Sequence, residues 1–136
     1  MEATEATIRV ATESYNKVSI ETADQLTLII MLYDGMIRFI NRAIEKISSG
    51  HVAYEECKKA SDIAFHLLST LKKDDGDLHK KLVSLYFFIY RQIVTAGMEK
   101  NARRLEEVLP LVQELKEGWV GIREQRRKGG GEKQFE

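Results

Sequence analysis

The chain has 136 residues, a length that fits one domain with a single core. Hydrophobic residues make up 43% and charged residues 31%, an ordinary balance for a soluble globular protein. Basic and acidic residues number 21 each, so the chain lacks the overall positive charge of a nucleic-acid binder and we expect no nucleic-acid partner.

The location of the protein is indicated by its cysteine content and by its N-terminus. Cys57 is the only cysteine, which excludes an intrachain disulfide and favours a reducing compartment. The stretch MEATEATIRVATESYNK has no apolar centre, so we do not expect a signal peptide. The apolar run from Leu28 to Tyr33 is much shorter than the ~20 residues of a membrane span. We therefore expect a cytoplasmic protein without membrane insertion.

The first 21 residues form a separate unit in this interpretation, an N-terminal cap segment over residues 1–21. Isolated apolar residues in this polar stretch could cover an apolar surface of the remaining chain. They are Ile8, Val10, Tyr15, Val18 and Ile20.

Four segments then show helical periodicity, at about residues 22–48, 52–72, 77–98 and 102–126. Thr22 is a predicted N-cap of the first, with Gln25 three residues later as in a capping box. Asn101 is the predicted cap of the fourth. Because the connections are short, neighbouring helices should run antiparallel. We predict an all-α fold, an antiparallel up-down four-helix bundle.

Each predicted helix carries an apolar stripe that would face the core. The stripe of the first contains Leu26, Ile29, Ile30, Tyr33, Ile37, Ile40, Ile44 and Ile47. The second contains Cys57, Ala60, Ala64, Leu67, Leu68 and Leu71, and the third Leu78, Leu82, Leu85, Tyr86, Ile89, Ile93 and Ala96. The fourth contains Leu105, Val108, Leu109, Val112, Leu115, Trp119 and Ile122.

Two residue types inside these helices need a local explanation. Pro110 cannot donate a backbone hydrogen bond, so either the fourth helix is kinked there or it begins just before this residue; the continuing apolar register favours a kink. Gly35 lowers helix propensity by about 1 kcal/mol relative to Ala, so we expect a close helix approach at this position.

The predicted domain ends at residue 126. The tail over 127–136, with Gly129 to Gly131, is predicted to be disordered.

The first and third helices have more apolar residues than one bundle seam can bury. Between Leu26 and Tyr33 only Thr27 is polar. On the third helix four residues lie beside or outside the main stripe: Val83, Phe87, Phe88 and Tyr90. Such a surplus indicates a surface for a partner, for self-association or for a covering segment.

The stretch YNKVSIETADQLTLIIMLYDGMIRFINRAIEKI resembles the beginning of the flagellar secretion chaperones, the FliS family. The matching residues are Tyr15, Ile20, Thr22, Ala23, Leu26, Thr27, Leu32, Tyr33, Asp34, Gly35, Met36, Ile37 and Phe39. The second half of the chain matches at Leu82, Leu85, Tyr86, Ile93, Ala96, Leu105, Glu106, Glu107, Val108, Leu115 and Trp119. Gly97, where Asn is common, and Pro110 depart from the family pattern.

The resemblance implies a chaperone that binds the disordered C-terminal segment of flagellin, prevents early polymerisation and delivers it to the flagellar type III export gate. It also implies an N-terminal segment that covers part of the binding surface. On this basis the predicted partner-binding residues are Tyr15, Val18, Ile20, Leu26, Ile30, Tyr33, Val83, Tyr86, Phe87, Tyr90, Val112 and Trp119. For Leu26, Ile30 and Tyr33 a core role is favoured over contact, whereas Val83, Phe87 and Tyr90 are favoured as exposed contacts.

Other functions find less support in the residues. No Glu-x-x-His pair, metal-ligand spacing or phosphate-binding loop is present, so we expect no enzyme, metal or cofactor. A histidine phosphotransfer domain centred on His66 is disfavoured because Leu67 and Leu68 follow it directly. A generic bundle adaptor that forms homodimers through the same apolar faces remains the other alternative, and dimers could coexist with chaperoning.

Overall fold

The computed structural model describes residues 23–71 and 76–134. They form four helices: α1 Ala23–Ser48, α2 Tyr54–Ser69, α3 Asp77–Glu99 and α4 Ala102–Gln134. No strand occurs among these residues. The main interfaces join neighbouring helices in the cyclic order α1, α2, α3, α4, and among these the α3–α4 interface is the smallest. The predicted antiparallel four-helix bundle is confirmed.

The turns between the helices are tight. Gly50 takes the left-handed conformation with φ 86° after α1, and its N–H donates to the Ile47 carbonyl at 3.0 Å. After α3, Lys100 is left-handed with φ 52°, and the next N–H, of Asn101, donates to the Ala96 carbonyl at 3.0 Å. The Asn101 side chain then accepts from the Arg103 N–H at 3.1 Å, which confirms the predicted cap of α4.

Three helix boundaries differ from those expected. Helix α2 is shorter than the predicted 52–72. Helix α4 begins at Ala102 and runs through the exposed Pro110 without interruption, so a start just before Pro110 is wrong. The same helix continues to Gln134, beyond the boundary predicted at residue 126. Glu, Gln, Arg and Lys dominate residues 124–128 and have high helix propensity, which outweighed the signal of the glycines after them.

The core contains most of the predicted stripe residues together with Met36, Ala43 and Ala53, whereas other stripe residues, such as Ile37 and Ile44, are only partly buried. Its largest side chains, Trp119, Tyr33 and Tyr86, are fully buried, and the hydroxyls of Tyr33 and Tyr86 form a hydrogen bond of 2.6 Å between the diagonally opposed helices α1 and α3. At the edge of the bundle Asp34 forms an ion pair with Lys116 of α4, at 2.5 Å.

Among the described glycines, Gly97 marks the closest approach of a neighbouring helix. A Cβ atom at this position would lie 2.9 Å from Cys57 Cβ and 3.3 Å from its Sγ, which is closer than van der Waals contact permits. At Gly35, where we expected the close approach, the nearest atom would be Ile63 Cδ1 at 3.4 Å, an ordinary contact distance. Helices α2 and α3 therefore meet closely where one of them has no side chain.

Candidate partner-binding surface

The predicted contact residues fall into three groups in the structure. Tyr15, Val18 and Ile20 lie outside the described residues, as does the whole segment 1–21. Six are at most 5% exposed and line the interior of the bundle: Leu26, Ile30, Tyr33, Tyr86, Val112 and Trp119. Phe87 is exposed, and Val83 and Tyr90 are half-buried at the surface.

The burial of the six interior residues gives them a structural role. In this conformation a partner reaches none of them without opening the bundle. Their contact with a partner therefore stays a prediction, and the surface that is open to a partner has to be found elsewhere. On α1 most of the apolar run is buried, and only Leu28 and Met31 leave half or more of their side chains exposed, 53% and 60%.

A second apolar stripe runs along α3, beside the one that faces the core. It contains Val83, Phe87, Tyr90, Val94 and Met98. The spacings of 4, 3, 4 and 4 residues place all five on one face of the helix. With a rise of about 1.5 Å per residue, the stripe is roughly 22 Å long. Met98, at its end, is 76% exposed.

Helix α2 supplies the opposite side of this surface. Phe65 is 54% exposed, and its ring centroid lies 5.8 Å from that of Tyr90, with the ring planes tilted by 50°. The rings of Phe87 and Tyr90 are 6.3 Å apart and tilted by 46°. Tyr54, at the other end of α2, is also exposed and lies eleven residues before Phe65, on the same helical face. We call these seven residues the α2–α3 strip: Tyr54, Phe65, Val83, Phe87, Tyr90, Val94 and Met98.

The outer side of α3 next to the strip is basic. Arg91 places its guanidinium carbon 5.9 Å from the centroid of the Phe87 ring, within cation–π distance. Towards the start of α3 lies an open cavity of about 540 Å³ with an apolar base and two exposed lysines at its rim. It is lined by Asp77, Lys80, Lys81, Ser84, Leu85 and Phe88.

Sequence reasoning found part of this surface and missed the rest. The sequence points to Val83, Phe87 and Tyr90 because these apolar residues lie beside or outside the main stripe of α3. Val94 and Met98 continue the same register, so the sequence held the signal that would have identified them. Phe65 and Tyr54 carry no such signal, because only the position of α3 against α2 shows which edge of α2 is covered.

The side chains considered for chemistry are Cys57 and His66. Cys57 is buried against Gly97, and burial raises the pKa of its thiol to about 11, which disfavours the nucleophilic thiolate. His66 is exposed on α2. Within the described ranges, no group of three His, Cys, Asp or Glu side chains is placed to hold a metal ion. No described helix is long and apolar enough to span a bilayer.

A four-helix bundle with an elongated, exposed apolar and aromatic strip is typical of proteins that bind a segment of another protein. The family model for the flagellar protein FliS matches residues 8–126, and the chain belongs to that family. This confirms the resemblance found in the sequence.

Characterised relatives span nearly the same length. The flagellar secretion chaperone FliS of Vibrio cholerae is 30% identical over 85% of this chain and 90% of its own length. That of Bacillus subtilis is 28% identical over 85% of this chain and 87% of its own. That of Campylobacter jejuni is 30% identical over 78% and 84%. All three are named as chaperones of flagellar secretion and not as enzymes.

Proposed function

We propose that this protein is a cytoplasmic chaperone that binds the C-terminal segment of flagellin on the α2–α3 strip and delivers it to the flagellar export gate. The observation that carries the proposal is the strip itself: seven apolar or aromatic residues along the seam between α2 and α3, with no other described element covering them. Family membership supports the same role, because the relatives are named for flagellar secretion.

The strip has the dimensions of a helix-in-groove site. A partner helix of about 15 residues would match its length of roughly 22 Å. Such a helix would pack apolar side chains at i, i+3, i+4 and i+7 on Phe65 and the α3 residues of the strip. The proposal therefore requires a client segment that is unstructured alone and amphipathic once helical.

The strip alone supports moderate affinity. Fully burying a large apolar side chain stabilises by about 1.5–3 kcal/mol, so covering half-exposed residues such as Phe65 or Phe87 should give about 1 kcal/mol each. Ordering a disordered segment opposes binding by about 2–5 kcal/mol. A complex with this balance can be released by a competing partner and does not need ATP hydrolysis.

The N-terminal segment fits the proposal as a competing cover. Tyr15, Val18 and Ile20 would dock residues 1–21 on the bundle until the client replaces them. Deletion of residues 1–18 should then strengthen client binding or leave it unchanged. Loss of binding after this deletion would show that the segment forms part of the site.

Calorimetry tests the proposed function. The full chain is titrated with the C-terminal segment of the flagellin from the same organism at several temperatures, with a scrambled segment of equal composition as control. We expect saturable heat with a clearly negative heat-capacity change, because apolar surface is buried. A flat titration at micromolar concentration would contradict the proposal. If the chain is a dimer that dissociates on dilution, and the client segment adds no heat, the homodimerising adaptor would be favoured.

A further inference from the structure

The outer side of α3 carries positive charge that has no carboxylate partner among the described residues. Between Asp77 and Glu99 the sequence has three charged residues, and all are basic: Lys80, Lys81 and Arg91. All three are exposed. This local excess stands in a chain whose basic and acidic residues are equal in number.

Some basic side chains elsewhere in the bundle have carboxylate partners. Lys46 contacts Glu56 at 2.7 Å, and Arg104 contacts Glu99 at 3.0 Å. On the α2 side of the strip, Lys58 and Asp62 form an ion pair of 3.0 Å with each other. No carboxylate among the described residues lies within 4.0 Å of Lys80, Lys81 or Arg91.

The spacing of these charges suits one face of a partner helix. Lys80 and Arg91 are eleven residues apart, so they lie on the same side of α3, about 16 Å from each other along the axis. A helix lying along the strip would meet both with carboxylates that are also eleven residues apart, since eleven residues make slightly more than three complete turns. Phe87, between them, would contact the apolar ridge of the same helix.

We propose that the α2–α3 strip recognises an acidic amphipathic helix, whose apolar ridge packs on the strip while carboxylates three turns apart contact Lys80 and Arg91. This inference rests on the proposed use of the strip for a client segment and specifies the chemistry of that segment. The described acidic residues on α2 and α3 include Glu55, Asp62, Asp77 and Glu99, and Asp77 lines the cavity together with Lys80 and Lys81. Asp62 and Glu99 have cationic partners, and Glu55 and Asp77 lie at helix starts away from the centre of the strip.

The test uses two designed helical peptides with the same leucine ridge, flanked by Glu in one and by Gln in the other. At low salt the full-length wild-type chain should bind the Glu peptide about three- to ten-fold more tightly, and the preference should disappear near 0.5 M NaCl as exposed charges are screened. The double variant Lys80→Gln, Arg91→Gln should bind both peptides equally. A control that removes two exposed charges elsewhere, Arg42→Gln with Arg103→Gln, should keep the preference.

Each result decides the inference. A preference that persists in the Lys80→Gln, Arg91→Gln chain overturns it, as does equal binding of both peptides by the wild type. Binding to anionic lipid vesicles but to neither peptide would show that the basic face serves a membrane and would also overturn it. If the flagellin segment binds wild type and double variant alike, the inference falls and the proposed function stands. If only the Glu peptide binds, with the expected charge dependence, the inference stands and flagellin is the wrong client.

Discussion

The contact between Gly97 and Cys57 makes a quantitative prediction about how α2 and α3 meet. The substitution Gly97→Ala adds a Cβ 2.9 Å from Cys57 Cβ, at least 0.5 Å inside the 3.4 Å at which ordinary contact begins. Both atoms are fixed to helix backbones, so the helices have to separate. Overpacking of this kind destabilises by about 1–3 kcal/mol, whereas replacing a helical Gly by Ala stabilises by about 1 kcal/mol.

Gly121→Ala provides the matched control, because Gly121 is helical and exposed and an added Cβ meets nothing within 4 Å. In urea denaturation followed by circular dichroism, Gly121→Ala should raise the free energy of unfolding by up to about 1 kcal/mol. The free energy of unfolding of Gly97→Ala should be about 1–3 kcal/mol lower than that of Gly121→Ala. Adding Cys57→Ala should not restore stability, because the clashing Cβ stays. Equal stabilisation by both glycine substitutions would refute the close approach.

Three further predictions concern the bundle. Asn101→Ala should lower the free energy of unfolding by about 1 kcal/mol because the cap of α4 is lost. Asn101→Ser should retain most of the stability, because a serine hydroxyl can also cap a helix. An equal loss of stability in both variants would contradict the capping role. Since burial raises the pKa of Cys57 to about 11, stability should decline as pH rises from the ordinary thiol range towards 11, and urea titrations of Cys57→Ala should lack this part of the decline. Asp34→Asn should lower the free energy of unfolding by less than about 1 kcal/mol, because its ion pair with Lys116 is partly exposed. The loss should be smaller still in high salt. A larger loss that does not depend on salt would contradict an exposed ion pair.

The apolar periodicity of the sequence was sufficient to predict the helices and most of the core. In α1, for example, Leu26, Ile29 and Tyr33 recur at helical spacing and are all buried. Periodicity could not separate core residues from contact residues, because both are apolar at helical spacing. Tyr86 and Trp119, predicted as partner-binding residues on family resemblance, are completely buried, and their contact with a partner stays a prediction.

Features that depend on how two helices face each other were not accessible from the sequence. Gly97 stood out only as a departure from the family pattern, and its reason, the Cβ of Cys57, lies forty residues away. The same holds for Phe65, whose exposure depends on where α3 crosses α2. By contrast, Val94 and Met98 could have been added to the strip by extending the register of Val83, Phe87 and Tyr90.

The account depends on the α2–α3 strip being the surface that holds the client. The most direct measurement is the dissociation constant for the flagellin C-terminal segment of two double variants with equal changes, both checked for helix content. Phe87→Glu with Met98→Glu places charges on the strip, and Leu28→Glu with Met31→Glu places them on exposed residues of α1. We predict at least about ten-fold weaker binding for the first pair, because about 1 kcal/mol or more is lost at each site, and little change for the second. Weakened binding in the α1 pair with unchanged binding in the strip pair would contradict the account.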